Sequence, residues 1–436
     1  MNEFVTTQNE DSNTQLLQNL FYMLFPGVEN LTNMLSKIKV TNTMYRRHNF
    51  DDAAGVVSPN RDTLYISAIC DLSAGPVKIH VPETNRYLSL QFTDLWCRNF
   101  NYLLNTNPGS HTLVYCDESN GCCNTDYNQD DETVIKSPCK LCLIIGRVYA
   151  NYYDRTDIED AAIVLDGITI VGGKTINPLS NTVATITNYG TNNCNNSKVT
   201  NDVPKLNAKA TPLNINWFLK AAVAVNKYQQ IIYPEILTNL ITNPGLNRLV
   251  YNAFSAAQYE IKEALTSQCE KRRQSEVGWR LFASNLFDTD FEFAVVQWQG
   301  LYVNDCETAA YYFNSVDQQG QQYCGSEHSY FIVFDELPPH EPGAFWSITC
   351  YNPDGNLPVT TKDLPHRCIV GTNSNVVKNK YGKYIIFLLP VDSPLNACCP
   401  INNILNIPNT PCNFILRIYS PSQNNYYPPP IQIHFE

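Results

Sequence analysis

Hydrophobic and polar positions divide the chain into four stretches. Over residues 14–38, Leu16, Leu17, Leu20, Phe21, Met23, Leu24 and Phe25 recur at helical spacing, which predicts one or two amphipathic helices broken at Pro26-Gly27. From about residue 56 the period changes to two. Thr63–Cys70, Pro76–Pro82 and Arg86–Thr93 read as strands, and Val134–Tyr149 as a strand pair divided near Ser137-Pro138. Residues 175–212, rich in Asn and Thr and containing Pro, read as a loop. Residues 213–275 return to helical spacing, with Trp217, Leu219, Ala221, Ala222 and Val225 on one face, a second helix from Pro234, a stop at Asn243-Pro244-Gly245 and a longer helix over Leu246–Cys269. Aromatic strands follow at Tyr330–Phe334, Ala344–Tyr351, Tyr384–Leu389 and Asn413–Tyr419.

Short strands with turns about every ten residues favour sandwiches over an α/β sheet. The expected fold is therefore mainly β with helical segments: two β-sandwich, jelly-roll-like domains joined by a helical linker. The expected division is 1–45 N-terminal helices, 46–180 first sandwich, 181–212 loop, 213–310 helical linker and 311–436 second sandwich. No internal repeat of fixed short period is visible.

Composition narrows the function classes. A net charge of −11 removes the basic face that a general nucleic-acid binder needs, and Lys271-Arg272-Arg273 is balanced by Glu270 and Glu276. No apolar run approaches transmembrane length, and the N-terminal residues lack the basic and apolar regions of a secretory signal. Sixteen cysteines in 436 residues do not make a disulfide scaffold, and reduced thiols are expected. Asn supplies about one residue in nine, roughly twice the usual share; this points to an AT-rich genome more than to chemistry.

The stretch from residue 58 carries the most specific pattern. Pro59-Asn60-Arg61-Asp62-Thr63-Leu64-Tyr65, Asp71-Leu72-Ser73, Gly75-Pro76-Val77, Val81-Pro82, Arg86-Tyr87, Asp94 and Ile145-Gly146-Arg147-Val148 resemble the bacterial family of unknown function numbered 1254. Ala344–Thr349, Tyr351, Asp354-Gly355, Leu416–Pro421 and Pro428-Pro429-Pro430 resemble the companion family numbered 1214, normally fused behind it, and Gly278-Trp279 with Asp288–Asp290 fits the join. Two departures stand out: Asn403–Pro408 lacks the Trp and one Pro of the family pattern, and Tyr381-Gly382-Lys383 replaces an Asp-Gly-Ser turn. The resemblance implies two β-sandwiches bridged by helices and supplies no reaction.

Candidate chemistry is set against plainer readings. Asn60, Arg61 and Asp62 could converge with Asp71 on a sugar or small acid, or could be strand-entry turn chemistry with an Arg–Asp pair. Arg86 and Asp94 would lie about 26 Å apart on one straight strand, so they meet only if the chain bends. The expected ligand-binding set is Asn60, Arg61, Asp62, Tyr65, Arg86, Trp346 and Arg417; the weaker catalytic set is Asp62, Asp71 and His366, the last beside Arg367 and near Asp363. Among Cys116, Cys122, Cys123, Cys139 and Cys142, the Cys139-x-x-Cys142 spacing is the metal candidate, although positions three apart on a strand face opposite ways. No serine-hydrolase elbow, P-loop or dinucleotide fingerprint occurs.

The leading expectation is a non-enzymatic structural, surface or ligand-binding protein without cofactor, in the cytoplasm or in the virion of a large DNA virus. Its expected partners are a small molecule, a carbohydrate or further copies of itself, with no nucleic acid and no membrane insertion. The alternative is a hydrolase or lyase acting on a small or saccharide substrate where the two sandwiches meet.

Overall fold

The computed structural model describes residues 10–50, 60–117, 122–123, 133–191, 207–266, 278–353, 355, 357, 367–423 and 426–434. His366, one of the weaker catalytic candidates, lies outside them. The described chain is mainly β, with four sheets and seven helices.

The first sandwich is built from β1 (Tyr45–Arg47), β2 (Thr63–Asp71), β3 (Val77–Val81), β4 (Leu88–Thr93), β5 (Asn99–Leu104), β6 (Gly109–Asp117), β7 (Cys122–Cys123), β8 (Val134–Ser137), β9 (Leu141–Tyr149) and β10 (Thr169–Val171). One sheet has the order β1-β2-β9-β4-β5; the other runs β10-β3-β6-β7, with β8 parallel to β6. Leu64, Ile66, Ala68, Leu88, Leu90, Phe92, Ile144 and Val148 fill the space between them with Val77, Ile79, Val81 and Leu113. Alternation explains this: even-numbered residues of β2, β4 and β9 point into the sandwich. Helix α2 (Arg155–Gly167), absent from the sequence reading, starts on an Asp154 cap and closes this core with Ala161 and Leu165.

The second sandwich comprises β11 (Arg280–Phe282), β12 (Ala309–Asn314), β13 (Tyr323–Cys324), β14 (Ser329–Phe334), β15 (Trp346–Tyr351), β16 (Ile369–Gly371), β17 (Tyr384–Pro390), β18 (Ile404–Ile407), β19 (Pro411–Tyr419) and β20 (Ile431–His434). Its sheets have the orders β11-β12-β19-β15-β16 and β18-β17-β14-β20, with β18 parallel to β17. Apart from β7, which pairs with β6, and β13, which pairs with β19, this repeats the order of the first sandwich, down to the parallel pair β6/β8. Backbone contacts repeat too. Ala150 N donates to Asp62 O at 2.8 Å as Ser420 N donates to Thr308 O at 2.8 Å, and Tyr149 N to Tyr87 O at 3.0 Å as Tyr419 N to Phe345 O at 2.9 Å. The offset between equivalent residues grows from 246 (Thr63 to Ala309) through 258 (Ser89 to Ser347) to 270 (Arg147 to Arg417). A duplication with so uneven a spacing has no fixed period to find in the sequence.

The helices form a body of their own. α1 (Glu10–Asn30) packs against α4 (Ile215–Asn226), α6 (Asn247–Thr266) and α7 (Asp290–Gln299), with α5 (Pro234–Thr242) beside α4. Phe21 stacks on Phe218 at 5.1 Å, and Phe25 on Trp298 at 5.0 Å. The expected break at Pro26 is corrected: α1 runs through it, because Phe25 and Val28 on either side are buried in one core. Gly27 lies against the Trp96 ring so closely that a Cβ would come within 2.3 Å of it, which docks the helix on the first sandwich. A second correction is α3 (Thr182–Thr191), a helix where a loop was expected.

Candidate functional site

The odd-numbered residues of β2, β4 and β9 leave the first sandwich on its outer face. At one end Leu141 and Leu143 meet the helical core. At the other end the face turns polar, and the equivalent face of the second sandwich covers it. Register puts Tyr65, Arg147 and Ser89 in one row across β2-β9-β4. Across β12-β19-β15 it puts Tyr311, Arg417 and Ser347 in the corresponding row. The two rows face each other across a seam.

Aromatic rings close one end of the seam. Tyr149 stacks on Phe345 at 4.0 Å, the related pair Tyr87 and Tyr419 meets edge-on at 5.1 Å, and Tyr87 meets Phe345 at 5.5 Å between them. These three contacts are what a two-fold relation between the domains requires. Gly343, at φ +80°, brings the second domain within reach of the first: a Cβ there would lie 2.6 Å from Asn85 O.

The arginine rows differ in one respect. Each arginine donates from Nη1 to the side chain two residues on from its row serine, Arg147 to Gln91 Oε1 at 2.9 Å and Arg417 to Thr349 Oγ1 at 3.3 Å. Beside Arg417 stands a carboxylate: Asp62 Oδ2 accepts from Ser347 Oγ at 2.5 Å, and the Arg417 charge favours its ionised form. Burial nonetheless dominates and raises the Asp62 pKa from 3.8 to about 6. The other partners of Arg147 are neutral, Asn304 Oδ1 at 3.1 Å and Tyr302 O at 3.1 Å. Burial opposes its charge, but the oxygens of Tyr311, Tyr65, Tyr419 and Tyr87 around it hold its pKa above the usual value. It stays a cation.

Near Arg147, three buried hydroxyls of the first domain lack hydrogen-bond partners among the described residues: Thr63 Oγ1, Tyr87 Oη and Ser89 Oγ. The Ser89 hydroxyl lies close enough to Tyr87 to favour its phenolate, against the larger opposing effect of burial, yet the two make no bond of acceptable geometry. Tyr311 is half-buried between the domains, and its hydroxyl accepts from Asn304 Nδ2 at 2.7 Å.

Of the residues expected to bind a ligand, Asn60, Asp62, Tyr65 and Arg417 come together here. Asn60 Nδ2 donates to Tyr419 Oη at 2.5 Å, and its Oδ1 accepts from Asp62 N at 2.7 Å, so the strand-entry turn is also an interdomain tie. The others go elsewhere. Arg61 lies over the Tyr152 ring at 4.7 Å. Arg86 makes a bidentate pair with Asp157 at 2.8 and 2.9 Å, not with Asp94. Asp94 instead holds the Trp96 and Arg98 amides and Gln229. Trp346 packs in the second core against Phe334, because even positions of β15 face inward. Asp71, nine residues along β2 from Asp62 and so about 30 Å away, accepts from Ser73 N and Thr175 Oγ1.

Cys139 and Cys142 are buried free thiols with pKa values pushed up by burial and, for Cys142, first by its neighbour Cys70. No cluster of three metal-ligating side chains occurs among the described residues. Cys116 is disulfide-bonded, which corrects the expectation of reduced thiols at that position. An open cleft of about 400 Å³ is lined by Arg98, Asn99, Asn285, Asp288, Asp290 and Asp305 among others.

Sequence reasoning missed Arg147, Tyr87, Ser89, Tyr311 and Ser347 as site residues. A signal was present: Arg147 is the sole charged residue in the run Leu141–Tyr149, and a strand apolar on both faces is buried on both.

Comparison with known proteins bears on the same two units. Residues 41–171 match the family model described as Protein of unknown function (DUF1254), and residues 308–423 that described as Protein of unknown function (DUF1214). The chain is a DUF1254–DUF1214 fusion. The matched segments cover the first sandwich and the second from β12 to β19, and most of the helical body lies outside them. The crystal structure of the VPA0106 protein from Vibrio parahaemolyticus is similar at 16% identity and a TM-score of 0.59, covering 97% of this chain and 100% of that one. It shares the fold of the fusion. An uncharacterised protein from Burkholderia cenocepacia aligns at 10% identity with a TM-score of 0.43, over 99% of this chain and 90% of its own. No curated protein matches the chain. No helix among the described residues is long and apolar enough to cross a membrane.

Proposed function

We propose that this fusion is a binding protein that holds a small polar ligand in the seam between its facing sheets. The observation that carries the reading is the group of buried, unpartnered hydroxyls of Thr63, Tyr87 and Ser89 beside Arg147. A buried hydroxyl without a partner costs about 1–3 kcal/mol, and three on one face are an expensive arrangement unless something else meets them. The hydroxyls, Arg147 and the surrounding tyrosines offer donors to a ligand and few apolar contacts, which selects a polar one.

A hydrolase or lyase reading has one observation in its favour, the Asp62 carboxyl with a pKa of about 6 beside Ser347. The expected partner carboxylate Asp71 is engaged at the far end of β2, so no acid–base pair is assembled there. Binding is the better supported activity.

Native mass spectrometry of the purified protein tests the reading, together with the Tyr87→Phe/Ser89→Ala double variant. The expected result is a small non-covalent adduct that the variant loses while its circular dichroism spectrum is unchanged. An adduct-free protein that gains several degrees of thermal stability from losing the two hydroxyls would refute it, since the seam would then be merely an imperfect interface.

A further inference from the structure

The duplication makes the two halves of the seam comparable residue by residue. Asp62 and Thr308 are equivalent: each immediately precedes the second strand of its front sheet, and each carbonyl accepts from the residue after the last tyrosine of the long central strand. Asp62 crosses the seam to Ser347 and Arg417. The residue related to it by the domain two-fold, on the side of Ser89 and Arg147, is Thr308, which is buried but has no charge. One arginine row therefore has a carboxylate and a bonded serine, and the other has neither.

Charge counting says what is missing. At neutral pH the seam holds two buried guanidinium groups and one carboxylate. Asp305, on the segment that contacts the first sheet, spends its carboxylate on Asn99 Nδ2 at 2.9 Å. Among the described residues the hydrogen-bond partners of Arg147 are the neutral oxygens of Gln91, Asn304 and Tyr302, and none is a carboxylate. A ligand bearing one negative charge and two acceptor oxygens would meet Ser89, Tyr87 and Arg147 together.

We infer that the ligand of the seam is a small monocarboxylate, its carboxylate occupying beside Arg147 and Ser89 the place that Asp62 takes beside Arg417 and Ser347. This rests on the seam being the binding site and adds the chemical class. Charge-assisted bonds to arginine and hydroxyl donors are about twice as strong as neutral ones, so the acid must outcompete its own amide.

The test is titration calorimetry of the full chain with acetate, lactate, butyrate and benzoate, each against the corresponding amide at constant chloride. At least one acid is expected to bind, more tightly than its amide by about tenfold or more. Arg147→Met should abolish that preference. Thr308→Asp supplies a carboxylate from the chain itself at the position related to Asp62, so a variant that keeps the wild-type circular dichroism spectrum should no longer respond to the acids. That second variant keeps the inference testable if Arg147→Met does not fold.

Acids that bind no better than amides, or a folded Thr308→Asp protein that still binds acids normally, would overturn it. A neutral compound whose binding is lost in the Tyr87→Phe/Ser89→Ala variant would overturn the ligand class and leave the seam as a site. Binding of neither kind would remove both.

Discussion

Replacing Asp62 by Asn should stabilise the protein at neutral pH and remove part of its acid dependence. Burial raises the Asp62 carboxyl from 3.8 to about 6, even with Ser347 and Arg417 acting the other way. That change makes the ionised form about 3 kcal/mol less favourable in the fold than in the unfolded chain. The sign follows from proton counting. Below about pH 4 the group is protonated in both states and costs nothing. Between about pH 4 and 6 the folded protein holds a proton that the unfolded chain has released, so stability falls as pH rises, and above pH 6 the whole penalty is in place. Asn has the shape of the protonated acid and keeps a partner for Ser347. At pH 7 the variant should therefore be more stable by up to about 3 kcal/mol, and the advantage should vanish near pH 4. Urea unfolding of both proteins at half-unit intervals from pH 4 to 8 measures this. Asp94 and Asp305, also raised, and Asp157 and Glu307, lowered, titrate alike in both proteins and cancel in the difference. A variant less stable than wild type at pH 7 would refute the reasoning: attraction between Asp62 and Arg417 would then outweigh the desolvation of the carboxylate.

Three further perturbations probe other parts of the structure. Gly343→Ala should cost about 1–3 kcal/mol in thermal unfolding, because the backbone is left-handed and the new methyl meets Asn85 O; an unchanged melting temperature would mean that the domains are not in close contact there. Asp157→Asn breaks the pair with the mostly buried Arg86 and should cost about 1 kcal/mol at pH 7. The Asp157 pKa is lowered, on balance, by hydrogen bonds from Arg86 and the Asn151 amide that outweigh burial, so this cost should shrink as pH falls through the carboxylate range. Asp94→Ala removes the acceptor for two turn amides and Gln229, and should cost about 2–4 kcal/mol in urea unfolding; a loss under 0.5 kcal/mol, roughly the noise of surface substitutions, would show that water replaces the carboxylate.

How much of this was legible in the chain depends on the range of the interaction. Strand alternation marked β2, β3 and β4, because each residue there faces either the core or its opposite within a few positions of its neighbours. The amphipathic pattern marked α4 and α6 for the same reason. Pro26 misled: local propensity argues for a break, and burial of Phe25 and Val28 on either side overrode it. Strand-entry residues Asn60 and Asp62 were visible as a polar turn, but that turn chemistry and interdomain contact share the same residues could not be read. Trp346 and Ser347 are adjacent in sequence and face opposite ways, one into a core and one into the seam.

By itself the sequence determined the strands β2–β4, β8, β9, β14, β15, β17 and β19, the helical section and the family of each half, all of which depend on residue order over short distances. Only the tertiary structure decided that the two halves are copies, that Arg147 and Arg417 occupy equivalent rows, and that one has a carboxylate while the other does not. Those facts rest on relations across long stretches of chain, such as the equivalence of Asp62 and Thr308 or the bond between Asp62 and Ser347, 285 positions apart. Nothing local encodes them: an outward-facing arginine on a strand reads the same whether water, a partner sheet or a ligand meets it.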